Sequence, residues 1–220
     1  MRKFPMNDNA PENIIMSRSL YKEFLGPRKE VNHRLMESLT KAEIMKAGRM
    51  LGAVKENTLY LDEEEMPCLF DIAFREIKRN GISPIEQLLA TGSIKNRFQR
   101  EYLSGLNQPR ISLFELVECH AESGSMKLHD LLFPGQCDLV LYDIGFSSTA
   151  SPGHLLFTTA VPVYDAFITS GVAFTFDIQW KDFILREVHK GFGRQWKNPV
   201  RRFKQFFHLN RKIGNQMIFQ

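Results

Sequence analysis

Tryptophan and tyrosine are scarce in this chain, at two and five residues, whereas phenylalanine occurs eighteen times in 220 residues. A phenyl ring brings apolar area with no polar tip to satisfy, so most of these rings are expected in a core. Cysteine is scarcer still. Cys68, Cys119 and Cys137 are odd in number and show no CxxC spacing, which argues against a disulfide framework or a zinc knuckle and suits a reducing compartment. No run approaches the ~18 apolar residues of a membrane span, and the opening Met1-Arg2-Lys3-Phe4-Pro5-Met6-Asn7-Asp8 lacks the apolar stretch of a secretory signal. A cytoplasmic location is therefore expected. Nucleotide signatures are missing as well: Gly191-Phe192-Gly193 has neither the third glycine nor the preceding strand of a dinucleotide fingerprint, and no P-loop occurs. No cofactor is expected, and no metal site.

What is present describes an ordinary globular chain. A hydrophobic fraction of 43% against 25% charged residues is far from the balance that keeps chains disordered. The length suits one domain or two closely packed ones.

The expected fold class is α+β, with a helical N-terminal half, a small antiparallel sheet or barrel-like module, and two C-terminal helices. After a polar, loosely held N-terminal stretch, Thr40 and Glu43 form a capping box before Ile44, Ala47, Gly48 and Leu51, and Gly52 is the natural stop. Residues 59–61 suggest a short strand. Leu69, Ile72, Ala73 and Glu76 mark a helix that runs into an Asn80-Gly81 cap. Ser83-Pro84-Ile85-Glu86 is a strong helix start, and a further helix is expected over 94–106. At Asn107-Gln108-Pro109 the pattern changes to period 2. Strands are expected over 111–120, 126–132, 138–142, 155–163, 166–170 and 172–176, separated by Ser123-Gly124, Pro134-Gly135 and Pro152-Gly153. Helix returns with Ile178, Ile184, Leu185 and Val188, ends at Gly191 and Gly193, and restarts from Asn198-Pro199 to about Lys212. This gives a helical region over 1–108, a β-rich module over 109–177 and a basic helical tail over 178–220, packed as one body.

Several of these positions resemble a known group. Ser112-Leu113-Phe114-Glu115, Leu128-His129-Asp130-Leu131-Leu132, Asp143-Ile144-Gly145 with Ser147 and Thr149, Pro152-Gly153-His154-Leu155-Leu156-Phe157 and Ser170-Gly171 resemble a segment of uncharacterised bacterial proteins. Some of those proteins also carry a cysteine-containing SEC-C motif at the C-terminus. This chain has a basic helix there and no such cysteines, so the resemblance implies a fold neighbourhood without a metal role or an activity.

The most lopsided feature is the tail from Arg186 onward, where Arg186, Lys190, Arg194, Lys197, Arg201, Arg202, Lys204, Arg211 and Lys212 face Glu187 alone. On the last helix, helical spacing places Arg201, Lys204, His208 and Arg211 on one stripe and Val200, Phe203, Phe206 and Phe207 opposite. The phenylalanines are then expected to dock while the cations face outward toward phosphates. Arg194, Lys197, Arg201, Arg202, Lys204, Arg211 and Lys212 are the candidate nucleic-acid-binding residues, with an acidic protein as the other candidate partner. The opposite charge gathers at Asp62-Glu63-Glu64-Glu65, just before a helix whose positive dipole end it suits.

Catalytic patterns are weak. The 145–154 loop follows Asp143 and carries Ser148 and His154, which invites a hydrolase reading, but Gly145-Phe146-Ser147-Ser148-Thr149 is not a G-x-S-x-G elbow. Cys119 and His120, like His129 and Asp130, alternate on strands and point to opposite faces. The leading expectation is a non-enzymatic binding or adaptor protein that engages a polyanion through its tail. A hydrolase or metal-dependent enzyme near the 145–154 loop is one alternative, and a structural or self-associating subunit is another.

Overall fold

The computed structural model describes residues 14–192 and 198–215. Five strands form a closed barrel: β3 (Arg110–His120), β4 (Ser125–Asp130), β5 (Leu139–Tyr142), β6 (Leu155–Val163) and β7 (Ala166–Phe176). Two residue pairs form the small antiparallel ribbon β1 (Val54–Lys55) and β2 (Thr58–Leu59). Around the barrel lie α1 (Arg18–Glu37), α2 (Lys41–Leu51), α3 (Met66–Glu76), α4 (Pro84–Ala90), α5 (Arg97–Asn107), α7 (Lys181–Phe192) and α8 (Pro199–Ile213), with α6 (Ile144–Thr149) between β5 and β6. The α+β expectation holds.

The strand order is β3-β4-β5-β7-β6, and β6 closes back on β3. All pairings are antiparallel except β5 with β7, which run parallel through Leu141 and Phe167. Of the sheet or barrel-like module expected, the barrel is the one formed, and it contains this one parallel pair. The parallel pair arises because α6 and β6 intervene before β7 returns beside β5, a five-stranded Greek-key plan shared with OB-type barrels. Such plans host unrelated activities, so the topology alone assigns none.

The alternation of each strand builds two layers. Phe114, Leu116, Met126, Leu128, Leu139, Leu141, Leu156 and Ala160 form one buried cluster. Outward residues of β3, β6 and β7, including Leu113, Phe157, Val172, Phe174 and Phe176, share a second core with α2, α3, α7 and α8. Val161, Val163, Ala166 and Ile168 join a third with α1, α3 and α5. None of the phenylalanines from Phe24 to Phe183 or from Phe203 to Phe207 is exposed, as their abundance implies.

Local expectations fared unevenly. The Thr40 and Ser83 capping boxes form, and Gly52 ends α2 at φ 79. The helix α1 was not foreseen: only Tyr21, Phe24, Val31 and Leu35 are buried along its twenty residues, and Pro27 lies inside it. The α3 helix ends at Glu76, where Ile77 turns extended and is buried. Asn80-Gly81 is not its cap. Both residues have positive φ and close a tight two-residue turn in which Arg79 and Ile82 exchange backbone hydrogen bonds at 2.9 and 3.0 Å. The strands expected over 166–170 and 172–176 are one strand, bent at Gly171.

Candidate functional site

The tail helix α8 starts where the sequence places it. Asn198 Oδ1 accepts from the Arg201 amide at 3.1 Å, and Pro199 occupies the first turn. Phe203, Phe206 and Phe207 are buried. Phe206 stacks on Phe157 of β6 with ring centroids 4.1 Å apart, and Phe203 meets the same ring edge-on at 5.7 Å. The apolar half of the helix is thus pinned to the outside of the barrel.

The candidate cations separate into two groups. Arg202 is not outward-facing: it is 6% exposed, and its guanidinium lies over the Phe133 ring at 5.1 Å. Burial first, and the nearby Arg75 charge, hold its pKa down at about 10 against the pull of Asp130. Arg211 turns back on the acidic run. Its Nε and Nη2 donate to the two Glu65 carboxylate oxygens at 2.6 Å each, and Nη2 also reaches the Tyr60 carbonyl at 2.8 Å. Lys204 and His208 pack against the end of α2, where a Cβ added to Gly52 would lie 2.7 Å from Lys204 Cε and from His208 Nε2. The Lys204 cation there suits the negative end of that helix. Arg201 and Lys212 are exposed, as are Arg186 and Lys190 on α7. Arg194 and Lys197 lie outside the described residues.

This docked seam perturbs two titrations. Burial pushes the Glu65 carboxyl up, but its hydrogen bonds from Arg211 and the Asp62 amide outweigh that and hold it below 4.5. His208 is held below 6.5 by burial and then by Lys204 and Arg211, although the Leu51 carbonyl pulls it back up.

The first half of the 145–154 segment is helix α6, and its hydroxyls bond locally. Asp143 caps α6 by accepting from the Phe146 amide at 3.0 Å and also accepts from Thr169 Oγ1 at 3.4 Å. Ser148 donates to the Gly145 carbonyl at 2.7 Å, and His154 Nδ1 pairs with the Ser151 carbonyl at 2.8 Å. No hydrogen bond joins any two of Asp143, Ser148 and His154, so the Ser-His-Asp arrangement is not formed.

His129 and Asp130 do face opposite ways. His129 pairs outside the barrel with Asp138 at 2.8 Å, beside Lys127 and Glu118. This bare face of β4 and β5 carries both signs of charge, paired with one another. Asp130 turns inward and is 1% exposed. Its Oδ1 accepts from Ser112 Oγ at 2.5 Å and from the Leu132 and Phe133 amides, while Oδ2 accepts from Arg110 Nη2 at 3.1 Å. Both oxygens are filled, which makes Asp130 a structural staple. Among the described residues no group of three or more His, Cys, Asp or Glu side chains is placed to hold a metal ion, and no helix is long and apolar enough to cross a membrane.

A second buried carboxylate, Asp71 on α3, escaped the sequence reading because a single Asp on an apolar helix face carries no motif. It borders a cavity of about 360 Å³ between α1, α3, α5 and β7.

No curated protein and no solved structure matches this chain. The model of one family matches residues 16–220, from the approach to α1 through α8. The chain therefore belongs to that family, a family of unknown function designated DUF7986.

Proposed function

We propose that this chain is a non-enzymatic binding protein that presents cations of its C-terminal helices to a polyanion, nucleic acid being the first choice and an acidic protein the second. The observation that carries the reading is the exposure of Arg186, Lys190, Arg201 and Lys212 on helices of which α8 is pinned by three buried phenylalanines. Cations on a fixed scaffold lose little freedom when a polyanion binds. Arg194 and Lys197, from the segment between the helices, belong to the same proposed set. Arg202, Lys204 and Arg211 support it indirectly, by holding α8 in place. The likeness of residues 112–171 to bacterial proteins supports a bacterial cytoplasmic setting.

The test is binding to short single- and double-stranded DNA and RNA across a salt series. Neutralising Arg186, Lys190, Arg201 and Lys212 is expected to weaken binding and flatten its salt dependence by up to about 0.9 in log-log slope per lost phosphate contact on duplex DNA. Unchanged binding in that variant, or none by the parent at low salt, would remove the reading.

A further inference from the structure

Strands β6 and β7 fall out of step at one place. Thr158 pairs with Ala173 and Ala160 with Thr169, so Thr159 alone lies opposite Ser170, Gly171 and Val172. Gly171 makes the bend possible at φ 114, a conformation that residues with a Cβ rarely adopt. Bulges of this kind re-aim side chains and often border sites.

At this bulge stands Asp71, 5% exposed. Thr159 Oγ1 donates to its Oδ2 at 2.6 Å, and Arg75 Nη2 donates to the same oxygen at 2.8 Å. Its Oδ1 has no protein partner among the described residues. The contrast with Asp130, both of whose oxygens are filled, is direct.

Further open groups line the same cavity. Ser170 Oγ is buried without a hydrogen-bond partner among the described residues. Asn32 uses its Oδ1 to accept from Tyr102 at 3.2 Å, while its Nδ2 has no protein partner among the described residues. Arg28 commits Nη1 to the Thr169 carbonyl at 3.2 Å. The buried Tyr102 hydroxyl, pushed to about 12 by burial, feels the positive charge of Arg28 and the negative charge of Asp71. Met36, Phe70, Phe74 and Leu106 supply apolar wall. The cavity thus combines the Asp71 and Glu63 carboxylates, the Arg28 guanidinium, neutral hydrogen-bonding groups and an apolar surface, the composition of a small-molecule site.

We propose that this cavity binds a small zwitterion with an apolar side chain, of the α-amino acid class. Its ammonium group is received by Asp71 Oδ1 and Ser170 Oγ, its carboxylate by Arg28 and Asn32 Nδ2, and its side chain by Phe70, Phe74 and Met36. The volume of about 360 Å³ lies at the small end of ligand cavities, which fits one such molecule.

The experiment titrates the full chain by calorimetry and NMR with three probes: L-phenylalanine, 3-phenylpropionate, which lacks the ammonium, and phenethylamine, which lacks the carboxylate. L-Phenylalanine is expected to bind at millimolar concentration or tighter, and each truncated probe at least about tenfold more weakly. Arg28→Met should weaken L-phenylalanine and 3-phenylpropionate and leave phenethylamine unchanged. Asp71→Asn should do the converse; if that variant fails to fold, the Arg28→Met arm decides. No binding of L-phenylalanine, equal binding of the three probes, or an unchanged pattern in Arg28→Met would overturn the proposal.

Discussion

The cations of the two C-terminal helices divide between a docked set and a presented set, and the two follow different physics. Arg202, Lys204 and Arg211 turn onto the body of the protein: one is buried over Phe133, one packs against the end of α2, and one grips Glu65. Arg186, Lys190, Arg201 and Lys212 are exposed. A count of charges along the tail therefore overstates the cationic surface. Part of the charge meets an acidic run 146 residues earlier in the chain and acts as an anchor.

The comparison gives a graded series of tests. Deepest in the docked seam, Phe206→Ala removes the ring stacked 4.1 Å from Phe157, and chemical denaturation should show a loss of about 3–5 kcal/mol. Next, Arg202→Ala should cost about 2 kcal/mol, because its stem and guanidinium fill buried space beside Phe133. A smaller change would mean that Arg202 belongs with the presented set. The Arg211 and Glu65 side chains are 36% and 12% exposed, so screening limits the pair, and a double-mutant cycle should return about 1 kcal/mol of coupling.

Acid should loosen this seam. Glu65 and His208 both have pKa values below their ordinary 4.5 and 6.5, so the folded state binds protons less readily than the unfolded chain does. Their contribution is complete above those ordinary values and is lost as pH falls through the lower, folded ones. Thermal unfolding followed from neutral pH downward should show His208→Gln flattening the upper part of this decline and Glu65→Gln the lower part. An undiminished decline in both variants would place the acid sensitivity elsewhere. The smallest effect on stability belongs to the presented set: neutralising Arg186, Lys190, Arg201 and Lys212 together should shift unfolding by no more than about 0.5 kcal/mol per site.

What the sequence made legible follows the reach of each signal. Capping boxes at Thr40 and Ser83, the Asn198-Pro199 start and the alternation of β3 and β6 are local, and local chemistry decides them. The phenylalanine stripe of α8 was readable because its period is strong. The pairing of Arg211 with Glu65 was not, since that partner lies on another element. Helix α1 was hidden by Gly26-Pro27 and by a narrow buried face. The cavity at Asp71 depends on a two-strand misregister and on three helices converging, and no spacing along the chain encodes that convergence. The parallel pairing of β5 with β7 is likewise a product of closure.

The most direct measurement of the central claim compares the salt dependence of nucleic-acid binding for the parent chain, for the variant with Arg186, Lys190, Arg201 and Lys212 neutralised, and for Arg211→Gln. The account expects the presented-set variant to lose affinity and salt slope while keeping its stability, and Arg211→Gln to lose stability while its slope stays near that of the parent. Equal loss of slope in both variants would contradict the division into docked and presented cations. Absence of binding by the parent at low salt would contradict the polyanion reading itself.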